Sequence, residues 1–242
     1  MSFVFMVLVS IFFSLFVFLD AISHMQRLAG SVAGLNGLGF AFQTMVNTLK
    51  RIFVVLFPPT LGFVSVYGSK FDVFASILLA HVAGAVSLVI FFLMRVAVFR
   101  FSYYTIKLYS EGGGVFNSIM EARNEFRGEG PALDLRLSLD KVNGKLVTWA
   151  VWVFFFYASS GFLVNIAALM WAEYSTVILQ LTGVLNAFGT IALAFFLDPQ
   201  ITRIYESKNS AERVFHTLYV AQVINICFVS PIIYLILGFF VL

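Results

Sequence analysis

Charge is scarce in this chain of 242 residues: 11% are Asp, Glu, Lys or Arg, against 61% hydrophobic. A soluble domain carries roughly 25% charge, so this composition excludes a water-soluble globule and points to a bilayer. Cysteine is nearly absent as well. The lone Cys227 excludes an internal disulfide and any multi-cysteine metal site. Histidine is sparse and scattered, with His24 and His216 near one face and His81 inside a span, so no metal centre is expected. No G-x-x-x-x-G-K-[ST] loop, H-E-x-x-H or G-x-S-x-G occurs, so nothing points to ATP, zinc or serine-nucleophile chemistry by those routes. No cofactor is expected. The net charge of +3 gives no reason to expect nucleic acid, and membrane lipids are the natural neighbours.

What is present is long apolar sequence. Residues 1–19 hold no charged residue, and with no Lys or Arg ahead of the apolar run they read as a permanent first span, not a cleaved signal peptide. Stretches of the ~20 residues needed to cross a bilayer fall near 2–20, 33–57, 73–99, 146–170, 174–197 and 214–241. The expected fold is an all-α membrane protein with six transmembrane helices, one polytopic domain over 1–242. Between spans three and four lies a connection at 100–145 that carries Glu111, Glu121, Arg123, Glu125, Arg127, Glu129, Asp134, Arg136, Asp140, Lys141 and Lys145. It reads as partly helical and amphipathic, broken at Gly112–Gly114 and again at Gly128–Pro131.

The cations set the orientation, because Lys and Arg stay on the cytoplasmic side. Arg27, then Arg100, Lys107 and the basic residues of 100–145, then Arg203, Lys208 and Arg213 all fall on one side, and Lys70 alone on the other. Both termini are therefore expected outside, with the long connection in the cytoplasm.

Span two is informative. On a helical wheel Asn36, Gln43, Thr44, Asn47, Thr48, Lys50 and Arg51 share an arc of about 160°. Such a face needs protein or trapped water, because unpaired polar groups are costly in hydrocarbon. With the helix ending near Pro59, Arg51 would sit about 12 Å below the outer surface, and His81 on the next helix about 13 Å. Intramembrane ionisable groups are functional candidates by default. Lys50 and Arg51 either snorkel from a helix that ends early or line a groove, and the Gln, Asn and Thr residues leading to them favour the groove. His81 is either a working group or one bonded to a nearby carbonyl. Asp20 and Asp198 are placed at cytoplasmic helix ends, as switching carboxylates or as caps. Glu173 reads as part of an outer turn and Arg95 as a snorkelling side chain. The segment FLDAISHMQRLAG at 18–30 has a weak echo: Phe18-Leu19-Asp20 recurs as Phe196-Leu197-Asp198.

Asp20 to His24 with Arg27 to Gly30, Arg51 and Pro59 at the following spacing, Gly112 to Phe116, and Leu185-Asn186 through Thr190 to Phe196-Leu197-Asp198-Pro199 resemble the Amj family of alternate lipid II flippases. The similarity runs in order over nearly the whole chain. It implies a multi-pass protein of the bacterial cytoplasmic membrane that moves an undecaprenyl-pyrophosphate-linked peptidoglycan precursor from the inner to the outer leaflet, with cell-wall synthesis proteins as possible partners.

Residue chemistry and resemblance converge on an anionic polyprenyl-linked lipid as substrate. Arg suits a phosphate through paired hydrogen bonds. The expected binding residues are Arg27, Arg51, Lys50, Asn47 and Gln43; Asp20, His81 and Asp198 are the expected coupling or switching residues. Asn165, Gln180, Asn186, Gln222 and Asn225 are expected to line the path from facing spans. No catalytic residue or metal ligand is assigned. The rival class is a membrane enzyme acting on polyprenyl phosphate lipids, which needs an acid and a base at one depth. Asp20 and Asp198 at the inner face and His81 near the outer one count against it.

Overall fold

The computed structural model describes residues 1–126, 131, 133, 135–206 and 211–242. Every regular element among them is helical, and six helices are long and apolar enough to cross a membrane. The protein is a multi-pass, all-helical membrane protein. Its spans are α1 (Ser2–Val32), α2 (Asn36–Tyr67), α3 (Lys70–Ser110), α5 (Gly144–Met170), α7 (Thr182–Tyr205) and α8 (Ala211–Val241). The short α4 (Val115–Glu125) follows α3, and α6 (Ser175–Gln180) precedes α7. Arg127, Gly128, Glu129, Asp134 and Lys208, read above as parts of polar connections, lie outside the described residues.

Several spans outrun their expected limits, and the reasons are physical. Expected to stop at Asp20, α1 continues to Val32, because Asp20, Ser23, His24, Gln26 and Arg27 are buried by neighbouring helices instead of meeting water. Backbone inside a membrane must satisfy its own polar groups, which favours prolonging the helix. Likewise α2 runs through Pro58 and Pro59 to Tyr67. Those prolines deprive the Val54 and Val55 carbonyls of their amide donors. The helix is held there by α5, where Gly161 leaves so little room that a Cβ would lie 2.7 Å from the Pro58 ring and from Phe57.

This extension moves the expected site. Arg51 lies about 24 Å from the Tyr67 end and His81 about 16 Å from the same end at 1.5 Å per residue. They do not share a depth.

The third span starts on a capping box. Ser69 Oγ accepts from the Asp72 amide at 3.2 Å, and Asp72 Oδ2 accepts from the Ser69 amide at 2.7 Å. At 41 residues α3 is about 60 Å long, twice the ~30 Å hydrocarbon core, so its last turns project beyond the membrane. There α4 packs along it, with Phe101 against Phe126 at 6.2 Å. The turn between them is made by Gly112, whose φ of +100° suits glycine. Arg95 does not simply snorkel. Its guanidinium donates to the Leu135 and Phe92 carbonyls at 2.8 and 2.6 Å, tying the long connection to α3.

Helix α1 is the centre of the bundle, packed against α2, α3 and α8. An aromatic core fills the half nearer the termini: the Phe162 ring lies 5.0 Å from Phe13 and 4.9 Å from Phe57. By contrast α7 rests on α5, where Gly189 meets the Tyr157 backbone, and barely touches α2. A gap is left between α2 and α7.

Candidate functional site: a polar groove between two spans

Two polar stripes face each other across the antiparallel α1 and α2. On α1, Asp20, His24 and Arg27 recur at i, i+4 and i+7; on α2, Gln43, Asn47 and Lys50 do the same, so each triplet occupies one face. The outer rungs of this ladder are closed. Lys50 Nζ donates to Asp20 Oδ1, and Arg27 donates to Gln43 Oε1 at 3.5 Å. The middle rung is open. Neither ring nitrogen of His24 nor Asn47 Oδ1 has a hydrogen-bond partner among the described residues, although all three atoms are shielded from solvent. His24 Nε2 stands 3.9 Å from Asp20 Oδ2.

Other helices complete the closed rungs. Gln222 of α8 donates to Asp20 Oδ2, so the carboxylate is held from both sides. The Lys50 ammonium lies 4.7 Å from the Tyr157 ring centroid and 5.6 Å from that of Phe16, where the aromatic faces stabilise a desolvated cation. Arg27 reaches α7, donating to Asp198 Oδ1 at 3.4 Å and to Thr202 Oγ1, and its guanidinium stacks within 5.3 Å of the Phe40 and Tyr205 rings. Lys50, Arg27 and Asp20 are 3%, 5% and 7% exposed. Charges buried to this degree are retained only when paired.

Both α7 and α8 widen into a single π-helical turn beside these contacts: Leu193–Leu197 directly before Asp198, and Asn225–Val229 shortly after Gln222. Such a turn re-aims the adjacent side chains and recurs at functional sites.

The outer side of the α2 stripe faces the gap. A cavity of about 190 Å³ is lined by Asp20, His24, Asn47, Lys50, Arg51 and Asp198 with apolar residues of α5 and α7. A second, of about 370 Å³, adjoins it through Arg51, Tyr157 and Thr190 and includes Asn186. Together they follow α2 from Phe40 to Val55, about 22 Å at helical rise. Arg51 is exposed in this groove and has no ion-pair or hydrogen-bond partner among the described residues. Asn186 Oδ1, on the α7 wall, is likewise unpaired. A lone arginine at mid-span is costly against hydrocarbon, so its side chain requires water or an anion in the groove.

Of the residues the sequence singles out, Gln43, Asn47, Lys50, Arg51, Asp20 and Asp198 line one cavity, and Arg27 holds its Gln43–Asp198 end. Asp20 and Asp198, expected at cytoplasmic helix ends, instead lie within helices that continue past them, each paired with a cation of a neighbouring helix. Of the two readings of Lys50 and Arg51, snorkelling from a helix that ends early is the one that fails, because α2 extends far beyond them.

His81 stands apart. Its Nδ1 donates to the Ile77 carbonyl at 2.8 Å, and its ring packs against Phe13, Phe162 and Tyr234. Asn165 donates to the Gly161 carbonyl and Asn225 accepts from Ser230, so neither lines the path; Gln180 is exposed on α6 and Gln222 serves Asp20. Glu173 is exposed in a short turn.

Sequence reasoning leaves out His24, Tyr157, Thr202 and Tyr205. Spacing carries a signal for three of them: His24 is four residues from Asp20, and Thr202 and Tyr205 are four and seven from Asp198, each on its carboxylate's face. Nothing in the sequence marks Tyr157.

Fold and site define a multi-pass membrane protein whose polar, cation-bearing groove lies between two spans. Compared with protein-family models, curated proteins and solved structures, the chain matches none.

Proposed function

We propose that this protein is a lipid flippase that carries the anionic headgroup of an undecaprenyl-pyrophosphate-linked peptidoglycan precursor along the α2–α7 groove while the polyprenyl tail stays in lipid. One observation carries the reading: Arg51, unpaired among the described residues, faces a groove at the middle of a span. A phosphate held there gains charge-assisted hydrogen bonds that water alone does not match. Near-absence of contact between α2 and α7 suits a headgroup that enters and leaves sideways from the bilayer. The end of the bundle holding Arg27, Arg100, Lys107, Arg203 and Arg213 is assigned to the cytoplasm by its cations. Transport then runs from Arg27 and Asp198 past Lys50 to Arg51, in the cytoplasmic membrane of a bacterium, as the family resemblance implies. Leaflet-resolved labelling of the lipid-linked precursor in cells that depend on this protein tests it. Arg51→Ala is expected to abolish appearance of the precursor in the outer leaflet at normal protein level, and unchanged labelling overturns the proposal.

A second reading draws on one observation. His24, Asp20 and Asp198 line the same cavity as Lys50 and Arg51, so a base and phosphate-binding cations share a depth, in contrast to the separation expected with His81. That set suits a hydrolase of polyprenyl phosphate lipids. Release of inorganic phosphate from undecaprenyl pyrophosphate by the purified protein would favour it over transport.

A further inference from the structure

The following inference rests on the groove reading and concerns its charge balance. Lys50 lines the cavity beside the open rung of the ladder and is engaged by Asp20. A phosphate in the cavity has both Lys50 and Arg51 beside it, neighbours along α2. Lys50 is buried between Tyr157 and Phe16, and an ammonium drawn from Asp20 to the phosphate leaves the carboxylate without its cation.

We infer that Lys50 is exchanged between Asp20 and the bound phosphate, and that Asp20 takes up a proton as the exchange occurs. Without Lys50 the carboxylate keeps, among the described residues, the Gln222 amide as its hydrogen-bond donor, with His24 Nε2 at 3.9 Å. An isolated buried carboxylate neutralises instead of remaining charged. The balance is simple: one proton passes from water to an Asp20 oxygen, no bond in the ligand breaks, and one carboxylate charge is removed as the multiply charged pyrophosphate enters, its remaining charge facing Lys50 and Arg51. Asp20 thus acts as a resident anion occupying Lys50 until substrate displaces it, and anion binding becomes proton-linked.

His24 supplies the route. Both its ring nitrogens lack partners among the described residues, it lines the cavity, and its Nε2 is 3.9 Å from Asp20. The other charged or titratable groups facing this cluster are accounted for. On α1, Arg27 is engaged by Gln43, Asp198 and Thr202; on α5, Tyr157 covers Lys50 with its ring; on α7, Tyr205 lies against Arg27. On α8, Gln222 is uncharged and His216 packs beside Phe215. On α3, Arg95 is tied to the Leu135 carbonyl and His81 to Ile77. Asp198 is not the group released by this exchange, because its cation partner is Arg27 and not Lys50.

The test uses the full chain in detergent with farnesyl pyrophosphate as probe. Calorimetric titration in buffers of different ionisation enthalpy reads protons taken up per ligand. The wild type is expected to take up about one proton more than Asp20→Asn, while Asp20→Asn binds at least as tightly and Lys50→Met about tenfold more weakly or worse. Infrared difference spectra of the wild type need no variant to fold and should show a protonated-carboxyl band appearing with ligand. Equal proton uptake by wild type and Asp20→Asn, or ligand binding without the carboxyl band, overturns the exchange and leaves the groove reading standing. Failure of the folded wild type to bind the probe overturns the groove reading itself.

Discussion

Gly189 of α7 lies directly on the backbone of Tyr157 in α5: a Cβ at Gly189 would come within 2.9 Å of the Tyr157 amide nitrogen. Small residues of this kind let membrane helices approach closely where no hydrophobic effect drives them together. The contact seats α7 on α5 and so sets the far wall of the groove, and Tyr157 is also the residue whose ring covers Lys50. Gly189→Ala is therefore expected to push α7 outward at a cost of about 1–3 kcal/mol, as overpacking does. Thermal unfolding in detergent should show the loss, and substrate transport should fall with it. An unchanged midpoint would mean that α7 is not seated on α5 in this way.

The Asp20–Lys50 pair makes a different kind of prediction. Removing one partner of a buried ion pair leaves an uncompensated charge and costs about 3–5 kcal/mol, whereas replacing both with neutral side chains costs far less. Lys50→Met is thus expected to lower the unfolding midpoint sharply, and Asp20→Asn/Lys50→Met to recover much of it. The measurement is a double-mutant cycle on thermal stability, and simple additivity of the two changes would contradict the pairing.

Arg27 and Arg51 should separate stability from transport. Arg27 is buried and bonded to α2 and α7, so Arg27→Ala leaves Gln43 and Asp198 without their donor and is expected to destabilise by about 2–5 kcal/mol as well as abolish transport. Arg51 is exposed in the groove, so Arg51→Ala should change stability by no more than about 0.5 kcal/mol while transport is lost. Equal thermal effects of the two substitutions would rule out this assignment.

Much of the site was legible because helical periodicity is local. The polar arc of α2 can be read from residues 36–51 alone, and six apolar runs are enough to give the bundle. What local pattern does not convey is depth and partnership. Asp20 and Pro59 both look like the ends of spans, yet neither is, since burial by α2 and α8 supplies Asp20 with partners and the α5 glycine holds the Pro58 turn. The Asp20–Lys50 and Arg27–Asp198 pairs depend on how four helices are arranged, and a chain read residue by residue contains that arrangement only implicitly. The π-helical turns at Leu193–Leu197 and Asn225–Val229 have no mark in the local pattern of apolar and polar residues.

Whether the gap between α2 and α7 carries water can be read by thiol chemistry. Cys227 is exposed and must first be replaced by Ser. In that background Thr44→Cys and Thr48→Cys lie on the cavity wall, whereas Leu49→Cys lies within the same turns of α2 but on the exposed apolar side. Thiolates form only in water, and a charged, membrane-impermeant reagent reaches only hydrated positions. The two threonine positions are expected to react rapidly and Leu49→Cys slowly, despite its 50% exposure in the absence of lipid. An anionic amphiphile occupying the groove should slow the reaction at Thr48, next to Arg51, more than at Thr44. If all three positions reacted alike, exposure would reflect general solvation of α2, and the groove would lose its distinct polar path.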